Sequence, residues 1–164
     1  MRPFVAILVI LLAGCDSDRI AKLQKENQEL TAKLDATTKA VGLEAQEKCA
    51  KQAEIAFKQS GFHNGGPNNT LVGYTNHYNQ KLNKCFIDIS TTETNVKGVS
   101  VYRDVSDAFE GRPYADYMWI NNQGKKYWEV KPFMCKVTPI SGGEDKTCQS
   151  QDEFEALING YMQN

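Results

Sequence analysis

This 164-residue chain has few prolines, few histidines and almost no net charge. The low net charge and the small number of histidines each exclude a class of function. The chain has five prolines, two histidines and a formal net charge of −1. Without an excess of lysine and arginine, no basic surface can release counterions from phosphates, so we expect no nucleic-acid partner. The two histidines and the lack of a Cys-x-x-Cys spacing further predict no metal site, no redox centre and no cofactor.

No apolar run is long enough to cross a bilayer. The N-terminal run, Phe4–Leu12, follows Arg2 and falls short of the roughly 20 residues that a spanning helix needs. It ends in Leu12-Ala13-Gly14-Cys15, which resembles the lipobox of bacterial lipoproteins at all four positions. The resemblance implies a signal peptide over residues 1–14, cleavage before Cys15, and acylation of Cys15 that holds the protein in the lipid bilayer. The alternatives are an ordinary signal peptide followed by a chance cysteine, and a short core helix.

The residue after the lipobox bears on which membrane holds the protein. Asp16 follows Cys15, and an aspartate at this position resembles the inner-membrane retention signal of lipoproteins from enteric bacteria. The resemblance implies a lipid-anchored protein of the bacterial cell envelope that faces the periplasm. The inner membrane is favoured, with the outer membrane as the alternative.

Residues 15–42 are predicted to form a lipid-anchored helical stalk. No proline occurs from Ser17 to Ser60, and Gly42 is the single glycine before the end of that segment. Spacings of three and four residues, the a/d pattern of a coiled coil, connect seven positions: Ile20, Leu23, Asn27, Leu30, Leu34, Thr37 and Val41. One interpretation is a parallel homo-oligomer in which Asn27 fixes the register. The other is a single solvated helix, stabilised by Glu-to-Lys pairs such as Glu44/Lys48, that serves as a spacer.

Residues 43–164 are predicted to form an α+β globular domain, in which a small antiparallel sheet packs with a helix at each end of the segment. Short alternating or apolar segments predict strands over 71–78, 84–90, 99–105, 114–120, 126–130 and 133–137. Ser150-Gln151-Asp152-Glu153 has the pattern of a capping box and predicts the start of the last helix.

Cysteines other than Cys15 form an even set in an exported chain, which favours disulfides. Four cysteines allow three connectivities, and the spacing does not choose among them. We expect Cys135 to pair with Cys148, closing the loop between them. We expect Cys49 to pair with Cys85, joining the helix to the sheet.

Aromatic residues are frequent in the predicted strands, and alternation directs some of them away from the core. His77, Tyr78, Tyr117 and Trp119 are our candidates for a surface patch that binds an envelope protein, peptide or glycan. The alternative is a tyrosine-rich core with hydroxyl groups at its rim. The segments "YTNHYN…KCF" and "DAFEGRPYADYMW" resemble a domain of uncharacterised bacterial proteins, and that resemblance implies no activity.

Sequence motifs of enzymes are missing: there is no Gly-x-Ser-x-Gly, no His-Glu-x-x-His and no phosphate-binding glycine loop. We therefore predict a non-enzymatic binding protein. One alternative is a small periplasmic hydrolase with His77 as general base and Asp88 or Asp104 as its orienting carboxylate. Another is an exclusion or immunity lipoprotein of a mobile element. Acidic residues around a predicted turn suggest a solvated loop rather than a calcium site: Asp104, Asp107, Glu110 and Asp116.

Overall fold

A computed structural model describes residues 14–66, 68–121, 125, 126 and 129–163, without the side chains of residues 14–16. Residues 1–13 of the predicted signal peptide and the side chain of Cys15, the predicted acylation site, lie outside the described part. The chain divides into two units after Leu43, and each is described separately below.

The predicted fold class is confirmed: a long N-terminal helix precedes a five-stranded antiparallel sheet, which is followed by a C-terminal helix. The strands are adjacent in chain order, β1-β2-β3-β4-β5, so the sheet is a simple meander. The elements are α1 (Gly14–Gln59), β1 (Leu71–Asn79), β2 (Lys84–Asn95), β3 (Gly98–Asp107), β4 (Pro113–Asn121), β5 (Met134–Val137) and α2 (Gln151–Met162).

The first unit contains the part of α1 that ends at Leu43. Every described side chain from residue 17 to 41 is exposed. The five apolar residues of the a/d pattern are each more than half exposed: Ile20, Leu23, Leu30, Leu34 and Val41. Among the described residues, this part of the helix therefore has no packing partner.

The second unit begins with the last four turns of α1. Three of the predicted Glu-to-Lys pairs form along its exposed side, with N–O distances of 2.6–2.7 Å, at Glu44/Lys48, Glu47/Lys51 and Glu54/Lys58. Gly61 adopts a left-handed φ of 76°, as expected of a glycine that follows a helix end. The helix therefore ends at Gln59, two residues before this glycine.

One predicted strand is wrong. Residues 126–130 were expected to pair with β4, but Lys126, Glu129 and Val130 are not in a strand. The amide of Glu129 instead donates to the carbonyl oxygen of Lys126 at 2.9 Å, which makes a turn. β5 takes the place beside β4, where Tyr117 is paired with Cys135. Alternation over five residues could not distinguish the two segments, because both have the strand pattern.

The sheet has a hydrophobic core on each face, and β2 is buried on both. On one face, α1 covers β1 and β2 through Cys49 and Ala53, which pack on Ile87 and Ile89. On the other face, α2 covers β2, β3 and β4. That larger cluster contains Phe86, Val105, Tyr114, Ala115, Tyr117, Trp119, Val137, Cys148, Phe154, Ile158 and Tyr161. Successive residues of β2 therefore meet different helices, since strand side chains alternate between faces.

Both predicted disulfides are present. Cys49–Cys85 joins α1 to β2 across 36 residues, and Cys135–Cys148 joins β5 to the loop before α2 across 13. Each cystine lies beside one of the two cores, so the bonds fasten a helix-containing segment to each face of the sheet.

The ends of α2 are held by side chains from different parts of the chain. At the start, Ser150 Oγ accepts from the amide of Glu153 at 3.2 Å, as the capping box predicts. The carboxylate of Glu153 accepts from the amide of Gln149 at 2.7 Å, one residue before the cap. At the end, the buried amide of Asn79 donates to carbonyl oxygens of α2, including that of Gly160 at 3.0 Å. β1 thereby fixes the position of α2 on the sheet.

Candidate binding surface

The predicted aromatic patch is wrong, because its four residues do not share a surface. Tyr117 and Trp119 are 1% and 4% exposed and lie in the core beneath α2. The indole of Trp119 donates to the carbonyl oxygen of Val130 at 2.9 Å. Alternation correctly placed Tyr117 and Trp119 on one face of β4. Only packing shows that α2 covers that face.

The other two residues of the predicted patch are neighbours on opposite faces of β1. Tyr78 is half-buried beside α1, and its hydroxyl donates to Asn83 Oδ1 at 2.7 Å. His77 is half-buried and is paired with Phe86, whose side chain faces α2. Of the two interpretations of the aromatic residues, the tyrosine-rich core therefore fits Tyr117 and the other tyrosines of its cluster, Tyr114 and Tyr161.

Asp88 and Asp104, the two carboxylates predicted to orient His77, have other positions or partners in the structure. Both carboxylate oxygens of Asp88 bind the guanidinium of Arg103. Asp104 is paired with Ile89, which packs under α1, whereas His77 lies on the α2 face. Asp88 is thus engaged by Arg103, and Asp104 lies on the face of the sheet opposite His77.

The acidic residues predicted to share a solvated loop are also separated. Asp104 and Asp116 are on β3 and β4 and are directly paired. Asp107 is 3% exposed and accepts from the ammonium of Lys84 at 2.8 Å, and Glu110 lies 3.4 Å from the same group. The prediction of one acidic loop is therefore wrong. The four residues belong to a strand pair and to a separate ion-pair cluster.

A further candidate surface is the part of the sheet that α1 leaves uncovered. On β4, residues 115, 117 and 119 are buried against α2, while 116, 118 and 120 point the other way and are half-exposed. On this side, the described residues of α1 pack over β1, β2 and Ala108, which follows β3. We call the remaining area the open face and define it by Tyr102, Asp104, Asp116, Met118 and Met134.

The open face combines flexible apolar side chains with an aromatic ring. Tyr102 is 36% exposed and is paired with Met118, which is paired in turn with Met134 at 43% exposure. One row across three strands therefore presents a tyrosine and two methionines. Methionine adapts to irregular partner surfaces, and tyrosine offers a rigid contact with a polar tip.

The next row of the open face is acidic. Asp104 is opposite Asp116, and Lys136 of β5 is opposite Asp116 on its other side. The Lys136 ammonium is 3.0 Å from Asp145, so its charge is shared with a carboxylate outside this row. Partial burial, and secondarily the charges of Asp116 and Asp88, raises the pKa of Asp104 above its ordinary value, although a hydrogen bond with Ser106 opposes the shift. The row therefore favours a positively charged group.

The α2 side of the sheet contains a more polar groove of about 520 Å³, bordered by Thr75, Ser90 and Thr92. Arg103 lines it, but its guanidinium already binds Asp88 and Glu155 and lies 5.2 Å above the ring of Phe154. These contacts hold α2 on the sheet. Arg103 is therefore a structural residue rather than a free receptor for an anion.

A second groove, of about 310 Å³, lies between α1 and the end of the sheet. Its charged lining consists of Lys48, Lys84, Asp107 and Glu110. The Asp107 carboxylate also accepts from the amides of Phe109 and Glu110 at 2.9 and 3.1 Å. The ion pair therefore closes a turn of this chain, and its charges are balanced locally.

Comparisons with known proteins return nothing: no protein-family model, curated protein or solved structure matches the chain. In the part of the chain that the structure describes, no group of three or more His, Cys, Asp and Glu residues could hold a metal ion. None of the described helices is long and apolar enough to span a membrane.

Of the residues on the open face, Asp104 and Asp116 were named from the sequence as acidic residues, and Tyr102 is an aromatic residue of the predicted strand 99–105. The two methionines were not singled out. Met118 and Met134 are separated by 16 positions, and they meet only through strand pairing. The alternation of β4 was a usable signal for Met118. Locating Met134 required the correct fifth strand.

Proposed function

We propose that this protein is a bacterial envelope lipoprotein whose domain, residues 43–164, binds an envelope protein through the open face. Acylated Cys15 anchors the mature chain in the bilayer, with the inner membrane favoured by Asp16. The domain faces the periplasm and has no enzymatic role. The partner presents a lysine or arginine to Asp104 and Asp116, with apolar side chains against the row of Tyr102, Met118 and Met134.

The observation that supports this proposal is the unequal covering of the sheet. Among the described residues, one face is buried under α2 across three strands, while α1 covers the other face over β1, β2 and Ala108. Exposed aromatic and methionine side chains beside a polar rim are typical of protein-binding surfaces. The paired aspartates add a requirement for positive charge, which favours a basic protein segment over a neutral glycan.

Site-specific photo-crosslinking in intact cells tests the binding surface. A photoreactive phenylalanine analogue is introduced at Tyr102 or Met134, and at Val96 as a control. Val96 is 93% exposed and lies in the turn between β2 and β3. We expect one defined protein adduct from both open-face positions and none from Val96. Equal adducts from all three positions, or none from the open face, would contradict the proposal.

A charge reversal then tests the role of the aspartates with the identified partner. We expect Asp116→Lys to weaken the dissociation constant by roughly tenfold or more, because it places like charges across the interface. Glu144→Lys makes the same change at an exposed acidic residue and should leave the affinity unchanged. Equal affinities of the two variants would refute recognition through a basic group.

The anchor is tested separately with Cys15→Ala. We expect the wild-type protein to fractionate with membranes and its mature N-terminal peptide to carry the mass of the acyl groups. The variant should lose both properties. Membrane fractionation of the variant like that of the wild type, together with an unmodified wild-type N-terminus, would refute the lipoprotein assignment without bearing on the open face.

A further inference from the structure

We infer that residues 20–41 of two copies of this chain associate as a parallel, two-stranded coiled coil. The first observation is the exposure of the a/d side chains. Leu30 and Leu34 are 62% and 66% exposed, although they are spaced to form one stripe on α1. Helices in water take most of their stability from packing of an apolar face. A helical segment of this length with its stripe in solvent calls for a partner.

The occupant is a second copy because the stripe is self-complementary. Coiled-coil knobs at a and d fit into holes formed by the same positions of an identical helix. Here the a positions are Ile20, Asn27, Leu34 and Val41, and the d positions are Leu23, Leu30 and Thr37. Such a repeat needs no second protein to complete it.

Thr37 is the d position that least resembles a coiled-coil knob, because its hydroxyl group would be buried in the seam. A hydrogen bond within the helix satisfies that hydroxyl group. The Thr37 hydroxyl donates to the carbonyl oxygen of Lys33 at 2.9 Å, within the same helix. The polar group therefore retains a hydrogen bond when the seam is buried. The methyl group of Thr37 remains available for packing at the d position.

Asn27 selects the parallel arrangement. In a parallel pair, Asn27 meets Asn27 of the second copy, and the two amides can hydrogen-bond to each other. In one antiparallel register that keeps a and d in contact, Asn27 faces Thr37, and in the other it faces Leu30 and is buried without an amide partner. That arrangement would bring Glu26 close to Lys33 of the second copy, but an exposed ion pair stabilises less than an unpaired buried amide costs.

Charges beside the seam are compatible with the parallel pair. Contacts between a g position and the next e position of the other copy would join Arg19 to Gln24, Glu26 to Thr31, and Lys33 to Thr38. None of these contacts opposes like charges. The e and g positions are therefore compatible with a second copy of the chain. They do not provide a charge pattern that would strongly attract a different, charged helix.

Cysteine cross-linking of the full chain tests the arrangement. In a Cys15→Ser background, the introduced cysteine is the only thiol outside the two disulfides. We expect Leu23→Cys and Thr37→Cys each to form a covalent dimer on mild oxidation. Lys25→Cys and Lys39→Cys, at outward f positions, are the controls and should remain monomeric on a non-reducing gel.

Mixing experiments distinguish the competing arrangements. An antiparallel pair would link Leu23→Cys with Leu34→Cys or with Val41→Cys, according to its register, and would give no self-linked dimer at either Leu23 or Thr37. That result overturns the inference, as does equal linking at Lys25. The background omits the acyl anchor, so failure here is distinct from failure of the lipoprotein proposal.

Light scattering of the full chain provides the stoichiometry. We expect twice the mass of one chain for the wild type, the mass of one chain for Leu30→Asp, and no change for Lys25→Ala. Asn27→Val should tighten the association and admit trimers, because Asn at an a position limits stability and specifies two strands. A wild-type mass of one chain, or of three, contradicts the inference.

Discussion

Asp104 and Asp116 lie directly opposite each other on adjacent strands, with both carboxylates on the open face of the sheet. Like charges in this cross-strand position destabilise a sheet. Burial and the charge of Asp116 raise the pKa of Asp104, which means that the folded protein holds its ionised form less favourably than the unfolded chain does.

Replacement of Asp104 by asparagine should therefore stabilise the free protein. The pKa of Asp104 is higher in the folded state, so the destabilisation is present at neutral pH, above the folded pKa. It disappears as the pH falls below the unfolded value of 3.8. We expect Asp104→Asn to raise the melting temperature at neutral pH and the gain to vanish in acid. Glu144→Gln is the exposed control, and thermal unfolding across pH is the measurement. A loss of stability at neutral pH would contradict this explanation.

Removing only one partner of the ion pair between Arg103 and Asp88 should strongly lower the free energy of unfolding. Their side chains are 13% and 6% exposed. Arg103→Ala leaves the Asp88 carboxylate buried without its cation, which typically costs about 3–5 kcal/mol of unfolding free energy. Glu155→Gln, in the same cluster but half-exposed, should cost less than about 1 kcal/mol.

A double-mutant cycle measures that coupling. In Asp88→Asn/Arg103→Met, both charges are removed, so we expect the loss of unfolding free energy to be smaller than the sum of the single losses. Coupling between residues in contact is commonly about 0.5–3 kcal/mol. Strict additivity in urea unfolding would indicate that the pair does not interact in solution.

Lys84 and Asp107 form a second cluster with a distinct pH dependence. Burial alone would raise the pKa of Asp107, but hydrogen bonds from Lys84 and from the amides of Glu110 and Phe109 lower it below 3.8. The Lys84 pKa is raised mainly by its hydrogen bond to Asp107. The stabilisation from Asp107 is thus present above pH 3.8 and is lost as the pH falls through its folded pKa.

Lys84→Met should lower the unfolding free energy by about 1–3 kcal/mol at neutral pH, because a buried carboxylate loses its cation. Asp107→Asn should cost less than Asp107→Ala, since its Oδ1 can still accept from the amides of Phe109 and Glu110. Urea unfolding between neutral and acidic pH measures both effects. A Lys84→Met variant with the same acid sensitivity as the wild type would contradict the role assigned to the ion pair.

The two disulfides should differ in their contributions to stability. Chain-entropy estimates give about 4 kcal/mol for the 36-residue loop of Cys49–Cys85 and about 3 kcal/mol for the 13-residue loop of Cys135–Cys148. We expect Cys49→Ser/Cys85→Ser to lower the unfolding free energy more than Cys135→Ser/Cys148→Ser. Guanidinium unfolding of the two double variants checks this order, and the reverse order would show that folded-state packing outweighs loop closure.

The sequence alone determined that a long helix, antiparallel strands and a short helix follow one another, and it predicted disulfides among four cysteines. Period-two alternation and turn residues act locally, so β1, β2, β3 and β4 could be located by reading short windows. The capping residues Ser150 and Glu153 and the helix-ending Gly61 are equally local. The even number of cysteines favoured disulfides but left three connectivities open, and the tertiary structure pairs Cys49 with Cys85 and Cys135 with Cys148.

Tertiary structure decided which faces of the elements are covered. Alternation assigned Tyr117 and Trp119 to one side of β4, but it could not indicate that α2 would pack there, because burial depends on elements distant in sequence. For the same reason, the open face became visible only after α1 was seen to cover two strands and leave three. The choice of β5 over residues 126–130 was also non-local, since two segments with the same pattern competed for one edge of the sheet.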